Sequence, residues 1–350
     1  MRRFCGSHQV WSHAAPLRFF SVTRPKIELS KVAKIGGEES ESLFQRGLSL
    51  LEAGELAAAR QALSDGISVD PTDVRLFAAR ASCLERQDRL DEALLDYETV
   101  TKLMPDSPPA HVAHAVCLRR VGRSADAERV LDHLLAAVGE YGPALVAKGE
   151  IQLESERLSQ AEASFRAAIR RDEGDAMAMS GLAQTLLRLE KLDDCEKVLR
   201  KLLQTSPDEG RDWSALGNVL YQKERFAEAV DAFSRAISLS GEVEFHVQRA
   251  AACLQLHKPD EALSDLLFVA KEDSEGEATH ISNLMFGLAY YEKKDLRKAG
   301  QHFRLWLKNA GQDEDLAHVH SILLKTIECS ENEEEKKSLA QRAKEIGVKK

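Results

Sequence analysis

The sequence predicts an all-α fold, a solenoid built from about eight helical hairpins, and two observations support this prediction. The first is internal repetition, because from Ser40 onward a period of 34 residues aligns like residues with like. The second is the hydrophobic pattern. Each period contains two amphipathic stretches shorter than 15 residues, and the sequence shows no apolar run with the period of two that marks a half-buried strand.

The first segment of the chain is basic and contains no acidic residue. Up to Ile27 there are five basic residues and no Asp or Glu, with serine, threonine and apolar residues between them. This composition is typical of a mitochondrial transit peptide. We therefore predict a transit peptide and flexible leader over residues 1–39 and a mitochondrial location, in the matrix. The alternative is a basic tail on a cytoplasmic protein.

A cleavage site is expected within this leader. Arg18-Phe19-Phe20-Ser21 resembles the site cut by the matrix processing peptidase, with cleavage before Ser21, and a further trimming step would end near Glu28. Removing residues 1–20 removes three arginines and no acid, so the net charge of −9 becomes −12. A secretory signal would need an unbroken apolar core, which this segment lacks. No stretch of the sequence approaches the roughly 18 apolar residues of a membrane span.

Four positions, counted from the first residue of each period, define the repeat. Position 8 is small, position 20 is alanine, position 24 is apolar or aromatic, and position 32 is often proline; Gly217, Ala229 and Phe233 fill the first three in the sixth period. Six periods follow without a slip, the seventh starts one residue early, and a short acidic insertion precedes the eighth. The predicted repeats are 40–73, 74–107, 108–141, 142–175, 176–209, 210–243, 243–276 and 280–313.

These positions match the tetratricopeptide pattern W-x₂-L-G-x₂-Y, A-x₃-F and P, so residues 40–313 resemble the tetratricopeptide-repeat family. The resemblance implies a right-handed superhelical solenoid with a concave inner wall, on which proteins of this family hold other proteins. Residues 314–350 depart from the pattern and are heavily charged. We predict that they form a C-terminal pair of capping helices, and the alternative is that the run 331–337 is a partner-binding tail.

Charge and motif content favour a protein partner over a nucleic acid or a reaction. The chain has 48 basic and 57 acidic residues, whereas a general nucleic-acid binder gains its affinity by neutralising phosphates. Six cysteines occur singly, without a CxxC pair, and are expected to be buried thiols. His111 and His114 fall at packing positions of the repeat. The sequence carries no recognisable catalytic, metal or cofactor motif, so we predict that the protein is not an enzyme and has no cofactor.

The resemblance also implies which residues face the groove, namely positions 2, 5, 9, 12 and 13 of each first helix. These positions contain six arginines, and the five in the middle of the chain would suit an acidic peptide because guanidinium groups bind carboxylates bidentately; the sixth is Arg211. The alternative is that Glu85, Glu150 and Glu154 neutralise them. Apolar residues such as Phe44 and Leu48 also fall there and would suit a peptide or helix. The predicted partner-binding residues are Arg75, Arg86, Arg119, Arg120, Arg188, Tyr221 and Tyr291.

Two peptide-binding specialisations of the family are missing from this wall. The clamp for the acidic C-terminus of chaperones uses Lys and Asn where this chain has Phe44, Leu48 and Ala79, and the asparagine ladder at position 6 is absent. We therefore expect a non-catalytic scaffold or adaptor, acting as a mitochondrial assembly factor or complex subunit. The alternative is a helical-repeat RNA-binding factor of organellar RNA metabolism, which the arginines support and the acidic balance disfavours.

Overall fold

The computed structural model describes residues 37–272 and 277–309, together with residue 337. The described residues form helices and turns, with no strand, and the helices follow the 34-residue period. The predicted all-α solenoid of helical hairpins is thereby confirmed; the predicted leader and the capping helices lie outside the described residues, except for residues 37–39 and 337. The helices are α1 Glu38–Glu52, α2 Leu56–Val69, α3 Val74–Arg86, α4 Leu90–Leu103, α5 Pro108–Arg120, α6 Ser124–Val138, α7 Gly142–Glu154, α8 Leu158–Arg171, α9 Ala176–Arg188, α10 Leu192–Thr205, α11 Gly210–Gln222, α12 Phe226–Ser240, α13 Val243–Gln255, α14 Pro259–Glu272, α15 Glu277–Glu292 and α16 Leu296–Asn309.

The described residues fall into two compact units. One contains residues 37–189 with α1–α9, and the other contains residues 190–309 with α10–α16. Within each unit, every helix packs against the next helix in the chain, and the odd-numbered helices of neighbouring hairpins also touch. We call the odd-numbered helix of each hairpin its A helix and the even-numbered one its B helix.

Close approach of the A and B helices forms the interior of each hairpin. The alanines or cysteine at position 20 are all buried, and so are the side chains at position 24. A Cβ atom built on Gly217 would lie 2.5 Å from Cε1 of Phe233, and one on Gly149 would lie 2.8 Å from Phe165. The position-8 glycine therefore leaves the space that the position-24 ring fills, because real side chains do not approach so closely.

A left-handed residue at position 15 reverses the chain between the A and B helices of each hairpin. Gly54 and Gly122 take this place in the first and third hairpins, with φ of 79° and 85°. In seven of these turns the next residue donates its N–H to a carbonyl in the last turn of the A helix, as Arg225 N does to Leu220 O at 2.9 Å. This bond closes a Schellman motif. The other six turns carry a residue with a Cβ at this place: Asp88, Glu156, Glu190, Glu224, His257 and Lys294.

Neighbouring hairpins share a core through positions 3, 6 and 10 of the A helix. In α3 these are Leu76, Ala79 and Cys83, which are buried in one cluster with apolar residues of α1 and α2. In α1 the same positions are polar and exposed, namely Ser42, Gln45 and Ser49. The outer face of the first hairpin is therefore polar, as a terminal repeat requires for solubility.

The left-handed turn residues generate a stability prediction. Replacing Glu224 with glycine should raise the free energy of unfolding by about 0.5–1 kcal/mol, because the strain of a Cβ at φ 58° is relieved, partly offset by the entropy of glycine in the unfolded chain. The matched change Gly122→Ala should lower it by about 1 kcal/mol. Denaturant unfolding of both variants tests this, and a destabilised Glu224→Gly would contradict it.

Candidate partner-binding surfaces

The predicted groove arginines lie on A helices of the unit formed by residues 37–189, and each is engaged by the protein itself. Arg75 is 4% exposed. Its guanidinium donates to both carboxylate oxygens of Asp73 at 3.0 and 2.7 Å, forms an ion pair with Glu41 at 2.9 Å, and stacks over the Phe44 ring at 4.8 Å. This side chain fastens the start of α3 to α1.

Arg119 joins α5 to α7 through two carboxylates. Its side chain is 7% exposed, and it forms ion pairs with Glu150 at 3.0 Å and with Glu154 at 2.5 Å. Burial raises the pKa of Glu150 to about 7; Arg119 lowers this pKa and Glu154 raises it. One guanidinium therefore serves two carboxylates, and the buried one is held only weakly in its charged form.

Arginines at position 13 extend back to the preceding hairpin. Arg86 Nη1 donates to the Leu51 carbonyl at 2.7 Å, at the end of α1. Arg120 donates to Glu85 at 2.9 Å, and Arg188 donates to Glu156 at 2.7 Å. Such contacts satisfy the carbonyls and the negative dipole end of the preceding A helix, or a carboxylate placed beside it.

The pairs with Glu85, Glu150 and Glu154 are those that the alternative interpretation of the sequence expected. The five arginines do not form one cluster. Each contacts its own partner residue in or next to an A helix. Their role in partner binding stays a prediction. An acidic peptide would have to displace carboxylates that already lie within hydrogen-bonding distance.

The two predicted tyrosines lie in the unit formed by residues 190–309. Tyr221 on α11 is 4% exposed and meets the Phe226 ring edge-on, with ring centroids 5.1 Å apart, whereas Tyr291 on α15 is half-buried. Most of the apolar A-helix residues expected to line the groove are also buried: Phe44, Val112, Val116, Val146, Leu153 and Leu288. These residues expose little apolar surface in the described structure, and a role for them in partner binding stays a prediction.

Family comparison agrees with this architecture. The sequence matches the tetratricopeptide-repeat family over residues 44–108, 112–176, 152–218 and 210–242. The chain belongs to the tetratricopeptide-repeat (TPR) family. A TPR and J domain-containing co-chaperone from Cryptococcus neoformans var. grubii is 30% identical over 114 residues, which are 31% of this chain and 22% of that relative.

Two solved structures share the TPR fold with this chain. A TPR protein from Parabacteroides merdae aligns with a TM-score of 0.55 and 18% identity, over 71% of this chain and 99% of that one. The C-terminal part of a TPR protein from Cytophaga hutchinsonii gives a TM-score of 0.53 and 16% identity, over 65% and 93%. At this level of identity the two structures show the fold alone.

The residues that could suggest chemistry have structural roles in the TPR array. His111 Nε2 lies 2.8 Å from the Pro105 carbonyl, and Trp213 Nε1 donates to the Pro207 carbonyl at the same distance, so position 4 ties the A helix to the preceding loop. Cys195 at position 20 is 1% exposed, and burial raises its pKa to about 12.

Within the described ranges, no group of three or more His, Cys, Asp or Glu is placed to hold a metal. No described helix is long and apolar enough to cross a membrane.

Sequence reasoning missed the exposed apolar side chains of the B helices. Val69, Leu103 and Val138 are 46%, 40% and 49% exposed, and each is the last residue of its B helix, in α2, α4 and α6. Position 30 or 31 of the period, which these residues occupy, would have revealed them as a row. The other large apolar residues exposed in the described chain are Leu95, Leu267, Phe268 and Leu305.

Asp212 is a buried carboxylate without a counter-ion in the part of the chain that the structure describes. It is 8% exposed and takes position 3 of α11, where α5, α7 and α9 carry the fully buried Ala110, Ala144 and Ala178. Burial, together with a smaller effect of the nearby Glu209 carboxylate, raises the pKa of Asp212 from 3.8 to about 6. The charged form is therefore disfavoured in the folded protein.

This carboxylate generates a pH-dependent prediction. The folded state retains the proton to about pH 6, whereas the unfolded state loses it near its ordinary pKa, so ionisation destabilises the protein as pH rises through this window. Asp212→Ala should therefore be more stable than the wild type by on the order of 1–3 kcal/mol at pH 7, with the difference fading toward pH 4. Unfolding curves at several pH values test this, with the exposed Asp106→Ala as control. A difference independent of pH would contradict it.

Proposed function

We propose that this TPR protein is a non-catalytic protein-interaction scaffold, acting in mitochondria as an assembly factor or as a subunit of a larger complex. The observation that carries the proposal is the repeat array itself. Its register-defining residues at positions 8, 20 and 24 are buried in hairpin packing, so each unit presents a surface built from several packed hairpins. Proteins of the TPR family generally use such surfaces to hold other proteins.

The mitochondrial part of the proposal depends on the leader. Its five basic residues and lack of acid up to Ile27 suit import, and the cleavage-like sequence Arg18-Phe19-Phe20-Ser21 suits processing in the matrix. The alternative is a cytoplasmic protein with a basic tail, and measuring the location of the protein in the cell distinguishes the two.

Protein is favoured over RNA as the partner because the arginines that supported RNA binding are already bonded. Arg75, Arg119 and Arg120 have carboxylate partners, and the chain carries a net charge of −9. A phosphate backbone would have to compete with these internal carboxylates and approach an acidic protein. The similarity to a co-chaperone supports a protein as the partner. The groove nevertheless lacks the chaperone clamp, since Phe44, Leu48 and Ala79 stand at its positions.

One experiment tests location and partner class together. The protein would be expressed with a C-terminal tag, followed by cell fractionation and purification from gently lysed mitochondria, with and without nuclease. We expect a shortened protein in the mitochondrial fraction and a fixed set of co-purifying proteins that survives nuclease. A full-length cytosolic protein would refute the location. A sample dominated by RNA and dispersed by nuclease would replace the scaffold with the RNA-binding alternative.

A further inference from the structure

Three successive hairpins each expose an apolar side chain at the end of the B helix, at position 30 or 31 of the period. Val69, Leu103 and Val138 end α2, α4 and α6, and all three are at least 40% exposed. Ala136 and Ala137 are exposed beside Val138, and Met104 next to Leu103 is half-buried. Single exposed apolar residues are ordinary, but these three recur at the ends of successive B helices of one unit. We call Val69, Leu103 and Val138 the helix-end row.

The row has definite limits along the array. The fourth B helix of the same unit, α8, ends in Arg170 and Arg171, so the apolar series stops after the third hairpin. Arg170 lies 3.7 Å from Glu140, just after the end of α6. The row is thus a local property of the first three hairpins and does not follow from the repeat pattern, which places Pro but no apolar residue at this edge.

Acidic residues border the helix-end row. Asp65 precedes Val69 by one helical turn and Asp70 follows it directly, while Asp106 lies three residues after Leu103 and Glu140 two residues after Val138. Two basic residues, Lys102 and the Arg170 that pairs with Glu140, leave the acidic residues in excess. Hydrogen bonds from Thr72 lower the pKa of Asp70, so this carboxylate is charged at neutral pH. Asp106 is fully exposed at the surface of its loop. The row is therefore an apolar strip with a negative rim.

We propose that the helix-end row binds an amphipathic helix of a partner protein, with apolar side chains on the contacting face and lysine or arginine along its flanks. The proposal rests on the scaffold function and names the surface that serves it. The apolar face would cover Val69, Leu103 and Val138, and the flanking cations would meet the acidic rim.

The rim and the fold select this occupant over others. An anionic membrane would be repelled by Asp70, Asp106 and Glu140, and a second copy would bring the same acidic rim against itself. A helix satisfies its own backbone hydrogen bonds, whereas an extended peptide needs partners from the protein, and the asparagine ladder that supplies them in this family is absent from this sequence. The A-helix groove is less suited, because its apolar residues are buried and its arginines are bonded.

A designed probe helix tests the proposal directly. The probe is a fluorescein-labelled peptide of leucine and lysine, with leucine at i, i+3, i+4 and i+7, and its binding to the full chain is followed by fluorescence anisotropy. One control peptide carries glutamate in place of lysine, and another has the same composition in scrambled order. The test protein is the triple variant Val69→Ser, Leu103→Ser, Val138→Ser. The control is Leu95→Ser, at a leucine of the same helix as Leu103 that is more exposed, 62% against 40%.

We expect the lysine probe to bind at least about tenfold more tightly than either control peptide, and the triple variant to lose at least about tenfold in affinity. Leu95→Ser should bind as the wild type does. All four residues are exposed, so circular dichroism should show unchanged folding. The unchanged charge of the triple variant separates apolar docking from general attraction of a cationic peptide to an acidic protein.

Three results would overturn the proposal. They are equal binding by the triple variant, tighter binding of the glutamate peptide, and a dimer in analytical ultracentrifugation that the triple variant abolishes. The last result would assign the row to a second copy. The scaffold function has a separate readout: if the tagged triple variant still captures the same proteins from mitochondria, the scaffold stands and the helix-end row is not its site.

Discussion

The close approach of two helices within each hairpin is the constraint on which the rest of the structure depends. At position 8 only a glycine or alanine fits, because the side chain at position 24 fills the remaining space; a Cβ on Gly47 would lie 2.6 Å from Leu63, and one on Gly217 would meet Phe233 at 2.5 Å. Once the helices approach in this way, the connecting turn must reverse the chain within a few residues, which forces position 15 into the left-handed region in every described hairpin. The hairpin then presents a fixed face, and its neighbours bury that face through residues such as Leu76 and Cys83.

Stacking determines which surface remains for a partner. Within each unit the A helices pack against their neighbours, and side chains expected to line an inner wall are buried or bonded there, as Arg75 and Arg119 are. Polar groups taken out of water need such partners. The ends of the B helices lie outside this packing, so residues such as Val69 and Leu103 stay exposed. In the part of the chain that the structure describes, the large exposed apolar side chains therefore lie on the B helices, both within them and at their ends.

The fold could be predicted from the sequence because its determinants are local steric requirements repeated at a fixed interval. Positions 8, 20 and 24, which are Gly217, Ala229 and Phe233 in the sixth period, keep their spacing in every period because the two helices of each hairpin pack in the same way. The arginine partners were harder to predict, because Arg120 meets Glu85 and Arg119 meets Glu154 across 35 residues, one more than the period. The sequence offered Glu85, Glu150 and Glu154 as the alternative partners, but it could not decide between internal pairing and a free arginine, because the offset depends on how the hairpins stack. The burial of Asp212 without a counter-ion could not be predicted from the sequence, because it depends on which side chains of neighbouring helices lie close to the carboxylate.

The most direct test of this account is the free energy of unfolding of Gly217→Ala. Helix propensity alone predicts that alanine in the middle of α11 stabilises the protein by about 1 kcal/mol. The account predicts the opposite sign, a loss of about 1–3 kcal/mol, because the new Cβ would meet the buried Phe233 ring. Gly142→Ala, whose Cβ would meet no atom within 4 Å, serves as the control and should be neutral or slightly stabilising. A stabilised Gly217→Ala would show that close helix approach does not govern the hairpin, and the account would fail at its foundation.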